Sequence, residues 1–125
     1  MKADELITHY QAGEREFGEV FLAGADLKGV DLSEIELNGA NLRCANLRQA
    51  KLSHASLNGV DLYDANLQGA VLRHTDLRHA VLWRVDLSGA DLEGADLKDA
   101  KVTGSQLTRA ASLKGATLPD GTEHS

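Results

Sequence analysis

The chain has 125 residues, 42% of them hydrophobic, a formal net charge of −6 and one cysteine. The negative charge argues against a nucleic-acid binder that neutralises phosphates, and a single cysteine permits neither an intramolecular disulfide nor a cysteine-based zinc site. No apolar run approaches the length of a membrane span, and the polar start Met1–Glu5 lacks the apolar stretch of a secretory signal. These features predict a cytoplasmic protein with no membrane segment, no metal and no cofactor.

The first residues predict a short amphipathic helix. Ala3, Leu6, Ile7 and Tyr10 have the spacing of one apolar helix face, and Gly13 is a natural end. A helix of about ten residues is marginal on its own. We therefore expect it to dock on the open end of the structure that follows.

A five-residue period dominates the rest of the chain. From Leu22 to Leu107 every fifth residue is leucine, except for Val102. An α-helix would scatter such a series around its surface, and a flat strand would send successive members to opposite faces. A chain that bends inward once in five residues instead directs each leucine, and the small residue two positions before it, into a shared interior. The predicted structural core is Phe17, Leu22, Leu27, Leu32, Leu37, Leu42, Leu47, Leu52, Leu57, Leu62, Leu67, Leu72, Leu77, Leu82, Leu87, Leu92, Leu97, Val102 and Leu107.

The other positions of each repeat are predicted to face water. With the leucine as position i, aspartate or asparagine is usual at i−1, and glycine is frequent at i+2, where a corner needs unusual backbone angles. Self-similarity at a fixed period is typical of a solenoid, in which neighbouring units stabilise one another. A solenoid offers no cleft that would shift carboxylate pKa values, so we expect the i−1 side chains to be solvated or bonded to neighbouring coils. The chain is therefore not expected to be an enzyme.

The motif Ala-(Asp/Asn)-Leu-X-X, as in Ala25-Asp26-Leu27 and Ala65-Asn66-Leu67, resembles the pentapeptide-repeat family over residues 14–118. The segment Ala3–Leu22 is similar to the leader of cyanobacterial members. The resemblance implies an all-β fold, a right-handed quadrilateral β-helix with four pentapeptides per coil and a short N-terminal capping helix. Residues twenty apart would then stack in columns.

Three segments follow from this pattern. Residues 1–13 form the helical cap, residues 14–109 the solenoid, and residues 110–125 a C-terminal cap and tail, because an extra residue moves the next centres to Leu113 and Leu118. This last segment could meet its twin across a two-fold axis. The sequence leaves both a monomer and a C-terminal homodimer open.

One outward column is the candidate interface. Arg43, Tyr63 and Trp83 occupy i+1 positions twenty residues apart, and Arg84 and Val81 are among the outward residues that adjoin them on the same side. Tryptophan, tyrosine and arginine are the residues that interface hot spots favour, whereas stacked side chains can also serve as a cross-strand ladder that stabilises a sheet. The favoured function is a non-enzymatic scaffold or protein–protein interaction module with an unidentified protein partner and no direct nucleic-acid binding.

The resemblance implies an alternative function. Some pentapeptide-repeat proteins resemble DNA in shape and charge and act on gyrase, and the acidic i−1 residues of this chain allow the same interpretation. Basic and apolar residues such as Lys51 and Val71 interrupt those columns, which disfavours a DNA-mimicking regulator.

Histidines and the cysteine are weak candidates for chemistry. His54 and His74 would be vertical neighbours, with His79 on the adjacent side, but exposed imidazoles without an ordered outer shell make a poor metal site. Cys44 shares its column with Asp64, and no histidine there could act as its base. We expect no metal ligands and no nucleophile among them.

Overall fold

The five-residue period winds the chain into a coil with four sides. A computed structural model describes residues 1–125. Residues twenty apart form parallel bridges from Glu16 with Glu36 to Val81 with Lys101, and the bridging residue is the one before each central residue. No strand extends beyond a single bridging residue. The architecture is a quadrilateral β-helix with four repeats in each coil.

Backbone hydrogen bonds between coils hold this stack together. Leu22 donates its N–H to the carbonyl of Asn41 at 2.8 Å, and Gly24 donates to Arg43 at 2.8 Å. Asn41 in turn donates to the carbonyl of Val20 in the coil below at 2.9 Å, while Ala25 donates to Leu22 within the same turn at 3.0 Å. The same pattern recurs along the coils, so four of the five N–H groups of a repeat are satisfied by backbone carbonyls.

The fifth N–H group explains the aspartate or asparagine of the motif. The N–H at i+1 is accepted by the side-chain oxygen at i−1, as where Gln68 donates to Asn66 Oδ1 at 2.9 Å. We call this contact the side-chain cap. It corrects the expectation that these side chains are mainly solvated or bonded to neighbouring coils; Asn46, which donates to Asp26 at 3.2 Å, is one that also reaches another coil. The capping residues are Asp26, Asp31, Glu36, Asn41, Asn46, Asp61, Asn66, Asp76, Asp86, Asp91 and Asp96.

The core is a continuous apolar line along the axis. Every central leucine from Leu22 to Leu97 is at most 1% exposed, and Phe17 and Leu107 are also buried. Val102 departs from the prediction because it lies in the last coil, where nothing is stacked above it, and it is only partly buried. The small residues two positions before each leucine fill the space between the leucines.

The corners all adopt the left-handed conformation. Every i+2 residue from Glu19 to Asp99 has φ between 56° and 71°. The prediction that the corner needs unusual angles is confirmed, but many corners are not glycine: Glu19, Glu34, Cys44, Gln49, His54, Asp64, His74, His79, Arg84 and Asp99 share this conformation. Closure of the coil therefore overrides the local cost of a positive φ.

Helix α1, Ala3–Gln11, covers the first coil. Leu6 is fully buried against the core. The Tyr10 hydroxyl donates to the Ser33 carbonyl at 2.7 Å, and the Arg15 guanidinium lies 3.8 Å from the centroid of the Tyr10 ring. These contacts attach the helix to the coil, as its marginal length requires.

The last coil contains helix α2, Gly104–Leu107. The chain leaves the regular repeat after Lys101, earlier than the predicted end of the solenoid at 109, and resumes it with Ser112 bridged to Asp91. Leu113 and Leu118 are the predicted new centres, and both are partly buried against the core. The final residues turn back, so that Glu123 bridges Thr117 in antiparallel fashion and pairs part of the open edge.

Gln106 repairs the coil where α2 interrupts it. A regular repeat would place a backbone N–H at this position on the carbonyl of Val85, but α2 directs the Gln106 N–H to the Thr103 hydroxyl at 3.2 Å. The Gln106 side chain replaces the lost donor: its Nε2 lies 3.0 Å from the Val85 oxygen and 2.6 Å from the Leu82 oxygen. Its Oε1 accepts from the Thr103 N–H at 2.8 Å, which completes a capping box.

Candidate interaction surface

The four sides of the coil differ in the residues they present outward. We define the aromatic side as the one whose central residues are Leu22, Leu42, Leu62, Leu82 and Val102. The chain has five aromatic residues; Phe17 is buried and Tyr10 belongs to α1. The other three, Phe21, Tyr63 and Trp83, all lie on the aromatic side, where Phe21 is 63% and Trp83 42% exposed.

The structure brings the predicted interface residues onto this side in consecutive coils, which are spaced by about 4.8 Å. The Arg43 guanidinium lies 4.8 Å from the centroid of the Tyr63 ring, and Arg43 Nε lies 3.2 Å from an oxygen of Asp61. Arg84 Nε lies 3.3 Å from an oxygen of Asp64. Arg43 and Tyr63 thus stack as a ladder, and Trp83 occupies the next position of the same column, where it is partly exposed.

Sequence reasoning placed Val81 on this side as an outward residue but missed Phe21, and it did not recognise what the two residues share. Both occupy the i−1 position, where most repeats carry a capping aspartate or asparagine. Without a cap, the N–H groups of Ala23 and Trp83 have no hydrogen-bond partner within the molecule. An apolar residue at a capping position was the available signal. Here the fold gives up a hydrogen bond and exposes an apolar side chain instead.

Negative charge is concentrated on one other side. The acidic side is the one centred on Phe17, Leu37, Leu57, Leu77 and Leu97. Between residues 16 and 99 it presents two cations, Arg78 and Lys98, against six carboxylates, which belong to Glu16, Glu19, Glu36, Asp76, Asp96 and Asp99. Negative charge is therefore unevenly distributed around the rod, with an excess on the acidic side.

The histidines and the cysteine lie on separate parts of the surface. The rings of His54 and His74 stack with their centroids 5.1 Å apart and an interplanar angle of 18°. His79 lies 3.9 Å from Asp99 on the acidic side. No three histidine, cysteine, aspartate or glutamate side chains come together as a metal-ion group. Cys44 is exposed at a corner of the aromatic side.

An open depression of about 480 Å³ lies beside α2. Arg84, Asp86, Gln106 and Arg109 line it together with the hydroxyls of Ser105 and Thr108. The pKa of the Asp86 carboxyl is lowered to about 2, chiefly because the Gln68 side chain donates a hydrogen bond to it. Asp86 is thus ionised except in strong acid. This depression adjoins the C-terminal end of the aromatic side.

The fold and this surface define a β-solenoid repeat protein with a flat, partly apolar side. A family model described as Pentapeptide repeats matches residues 22–59, 40–78 and 76–111, with eight copies. The chain therefore belongs to the pentapeptide-repeat family, whose members form right-handed quadrilateral β-helices, as the sequence predicts. None of the curated proteins matches the chain.

Solved structures support the same conclusion. A pentapeptide repeat protein from the Arabidopsis thaliana thylakoid lumen is 33% identical over 77% of this chain, with a TM-score of 0.64; this chain covers 63% of its length. A pentapeptide repeat protein (Rfr23) from the cyanobacterium Cyanothece 51142 is 26% identical, with 98% of this chain and 100% of that chain covered and a TM-score of 0.70. No helix of the present structure has the length and apolar character needed to cross a bilayer.

Proposed function

We propose that this protein is a non-enzymatic scaffold that binds another protein through its aromatic side. The observation that carries the proposal is that Phe21, Tyr63 and Trp83, the only aromatic residues outside the N-terminal cap and the core, share one of four sides. Exposed tryptophan, tyrosine and arginine are the residues that dominate binding energy at interfaces. The open, polar character of the depression beside α2 is in keeping with a role in binding and not in catalysis.

The competing explanation is that this column only stabilises the fold. A cross-strand pair contributes roughly 0.2–1 kcal/mol, and the contact between Arg43 and Tyr63 is such a pair. That account does not extend to Phe21, which is 63% exposed. The placement of Phe21 favours binding over stability.

The test uses Trp83→Ala in an affinity capture from the native cell extract, with Val71→Ala as the matched control. Val71 is also a partly exposed apolar residue, but it lies on a different side. Trp83→Ala should weaken partner binding by about 2 kcal/mol or more and leave the folded state intact, because a hot spot contributes through contact with the partner. If wild type and both variants captured the partner equally, the column would serve only as a ladder that stabilises the fold.

The proposal extends to the partner and the compartment. The expected partner is a protein and not a nucleic acid, in view of the net charge of −6. We place the chain in the cytoplasm because its only cysteine, Cys44, is free and exposed, a state that a reducing compartment preserves.

A DNA-mimicking regulator of a DNA-binding protein such as gyrase is the second candidate, and the acidic side is the observation that favours it. Its carboxylates give the rod a negative face that a cationic DNA-binding groove would attract. A gyrase supercoiling assay decides this point. Inhibition or protection of gyrase at micromolar protein would support the DNA-mimicking function if the effect is lost when Glu36 and Asp96 are changed to glutamine and asparagine. The absence of any effect would refute it.

A further inference from the structure

We propose that the partner of the aromatic side is the same side of a second copy, packed antiparallel about a two-fold axis. This inference rests on the proposed function, because it names the occupant of the same surface. The two-fold axis would lie in the interface, perpendicular to the axis of the coil. It would place the first coil of one copy over the fourth coil of the other, and the second coil over the third.

In the first four coils of the aromatic side, the outward residues have a palindromic order that suits this symmetry; the fifth coil, with Lys101 and Thr103, extends past the first coil of the partner. The first coil presents Phe21 and Ala23, and the fourth presents Val81 and Trp83. The second and third coils, between them, present polar and charged residues. Antiparallel packing therefore brings apolar rows together at both ends of the interface. In a parallel pair, each coil would instead lie beside the same coil of the other copy, and a palindromic order of the coils would not be needed.

The facing positions are complementary in size and shape at the apolar rows. In antiparallel register the i−1 column faces itself, so Phe21 lies opposite the partner's Val81. The i+1 column likewise faces itself, which places Ala23, the smallest side chain of its column, opposite the partner's Trp83. The partly exposed indole of Trp83 thus faces the position of its column that has the smallest side chain.

The polar middle of the interface is complementary in its cation–π and hydrogen-bonding groups. Arg43 would lie opposite the partner's Tyr63 and so would contact the rings of both copies. Asn41 would lie opposite the partner's Asp61. The Asn41 side chain uses only its oxygen within the chain, as the cap of the Arg43 N–H, which leaves its amide N–H groups to donate to that carboxylate.

The available area is sufficient for a dimer. The accessible surface of the chain is 6141 Å². One side of the rod accounts for roughly a fifth of it, so two such sides together offer about 2,400 Å², and covering between half and four-fifths of that area reaches the range of about 1,200–2,000 Å² that stable interfaces have. The apolar side chains of Phe21 and Val81 then have a role in the interface.

The test separates folding from association. Val81→Asn restores a cap for the Trp83 N–H and removes an apolar side chain from the interface. Val71→Asn, the matched control, restores the corresponding cap for Arg73 on another side. At a protein concentration low enough to keep the chain monomeric, both variants should raise the melting temperature. In sedimentation equilibrium, only Val81→Asn and Trp83→Ala should weaken the dimer, by about 100-fold, because a two-fold interface contains each residue twice and a hot spot contributes at least tenfold per copy.

Cross-linking tests the orientation. In a Cys44→Ser background, Gly24→Cys combined with Arg84→Cys places thiols three coils apart in one chain, about 14 Å, but at facing corners of an antiparallel pair. A bismaleimide that spans less than about 14 Å should then yield a covalent dimer of the double variant. The variants with only one of the two cysteines should yield none. A sedimentation dimer of the double variant that fails to cross-link would overturn the antiparallel arrangement.

Other outcomes would refute self-association through the aromatic side, and they also show whether the proposed binding function survives. A wild-type chain that is monomeric into the millimolar range, while Trp83→Ala still abolishes capture of a different protein, refutes self-association but supports the binding surface. A dimer that tolerates Val81→Asn and Trp83→Ala but is lost in Leu118→Ser would assign association to the C-terminal end. Failure of Trp83→Ala to affect either association or capture refutes both proposals.

Discussion

The side-chain cap makes a sharp prediction at Asn66. Its Oδ1 accepts a hydrogen bond from the Gln68 N–H at 2.9 Å, and this is its only hydrogen bond. Asn66→Ala removes the acceptor and leaves that N–H to water, whereas Asn66→Asp keeps an oxygen in the same place. A single side-chain bond to the backbone at a partly exposed site contributes about 1 kcal/mol. In a chain of this size, that loss lowers the melting temperature by about 3–5 °C.

Urea unfolding and thermal melting followed by circular dichroism measure the effect. We expect Asn66→Ala to lose about 1 kcal/mol and Asn66→Asp to unfold like wild type. The converse change, Val71→Asn, adds a cap for the Arg73 N–H, which has no partner, and should raise stability. Equal stability of Asn66→Ala and Asn66→Asp would refute the role of the cap, and destabilisation by Val71→Asn would show that the apolar side chain matters more.

Three further predictions concern the corners, the acid range and α2. Gly59 has a φ of 68° and nothing within 4 Å of an added Cβ. Gly59→Ala should therefore lower the free energy of unfolding in urea by about 1 kcal/mol, because alanine is strained at a positive φ. A more stable variant would contradict this and would mean that the reduced entropy of the unfolded chain outweighs the strain. Because the folded pKa of Asp86 is about 2 and the unfolded value about 3.9, its stabilising contribution is present above pH 4 and lost as pH falls towards 2. Gln68→Ala should raise that pKa in a carboxyl NMR titration, and an unchanged titration would sink the assignment. Gln106→Ala should cost about 1–3 kcal/mol by removing the donor to the Val85 carbonyl, whereas a melting temperature like that of wild type would mean that water replaces the amide.

Much of the fold could be predicted because inward and outward positions depend on a local repeat. The period alone placed Leu67 and its equivalents inside, and the apolar spacing of Leu6 and Tyr10 indicated the capping helix. The extra residue before Leu113 also marked a change of register. In each case the signal lies within a few residues of the feature that it predicts.

The departures from the prediction have a common cause in long-range contacts. Val102 has the pattern of a core residue but lacks a coil above it, and no local signal shows where stacking ends. Gln106 matches the polar i−1 position of a repeat, yet it serves a helix turn and the carbonyls of another coil. The apolar i−1 residues Phe21 and Val81 are visible in the sequence, but their meaning depends on which N–H groups then lack a cap.

The sequence by itself determined that leucines point inward, that polar residues point outward and that a helix precedes the repeats, because each follows from spacing within one turn of the chain. Only the tertiary structure decided which outward residues share a side. That depends on closure of the coil after twenty residues, which hydrogen bonds between distant segments establish. The gathering of Phe21, Tyr63 and Trp83 on one side, and of the carboxylates on another, is a consequence of that closure.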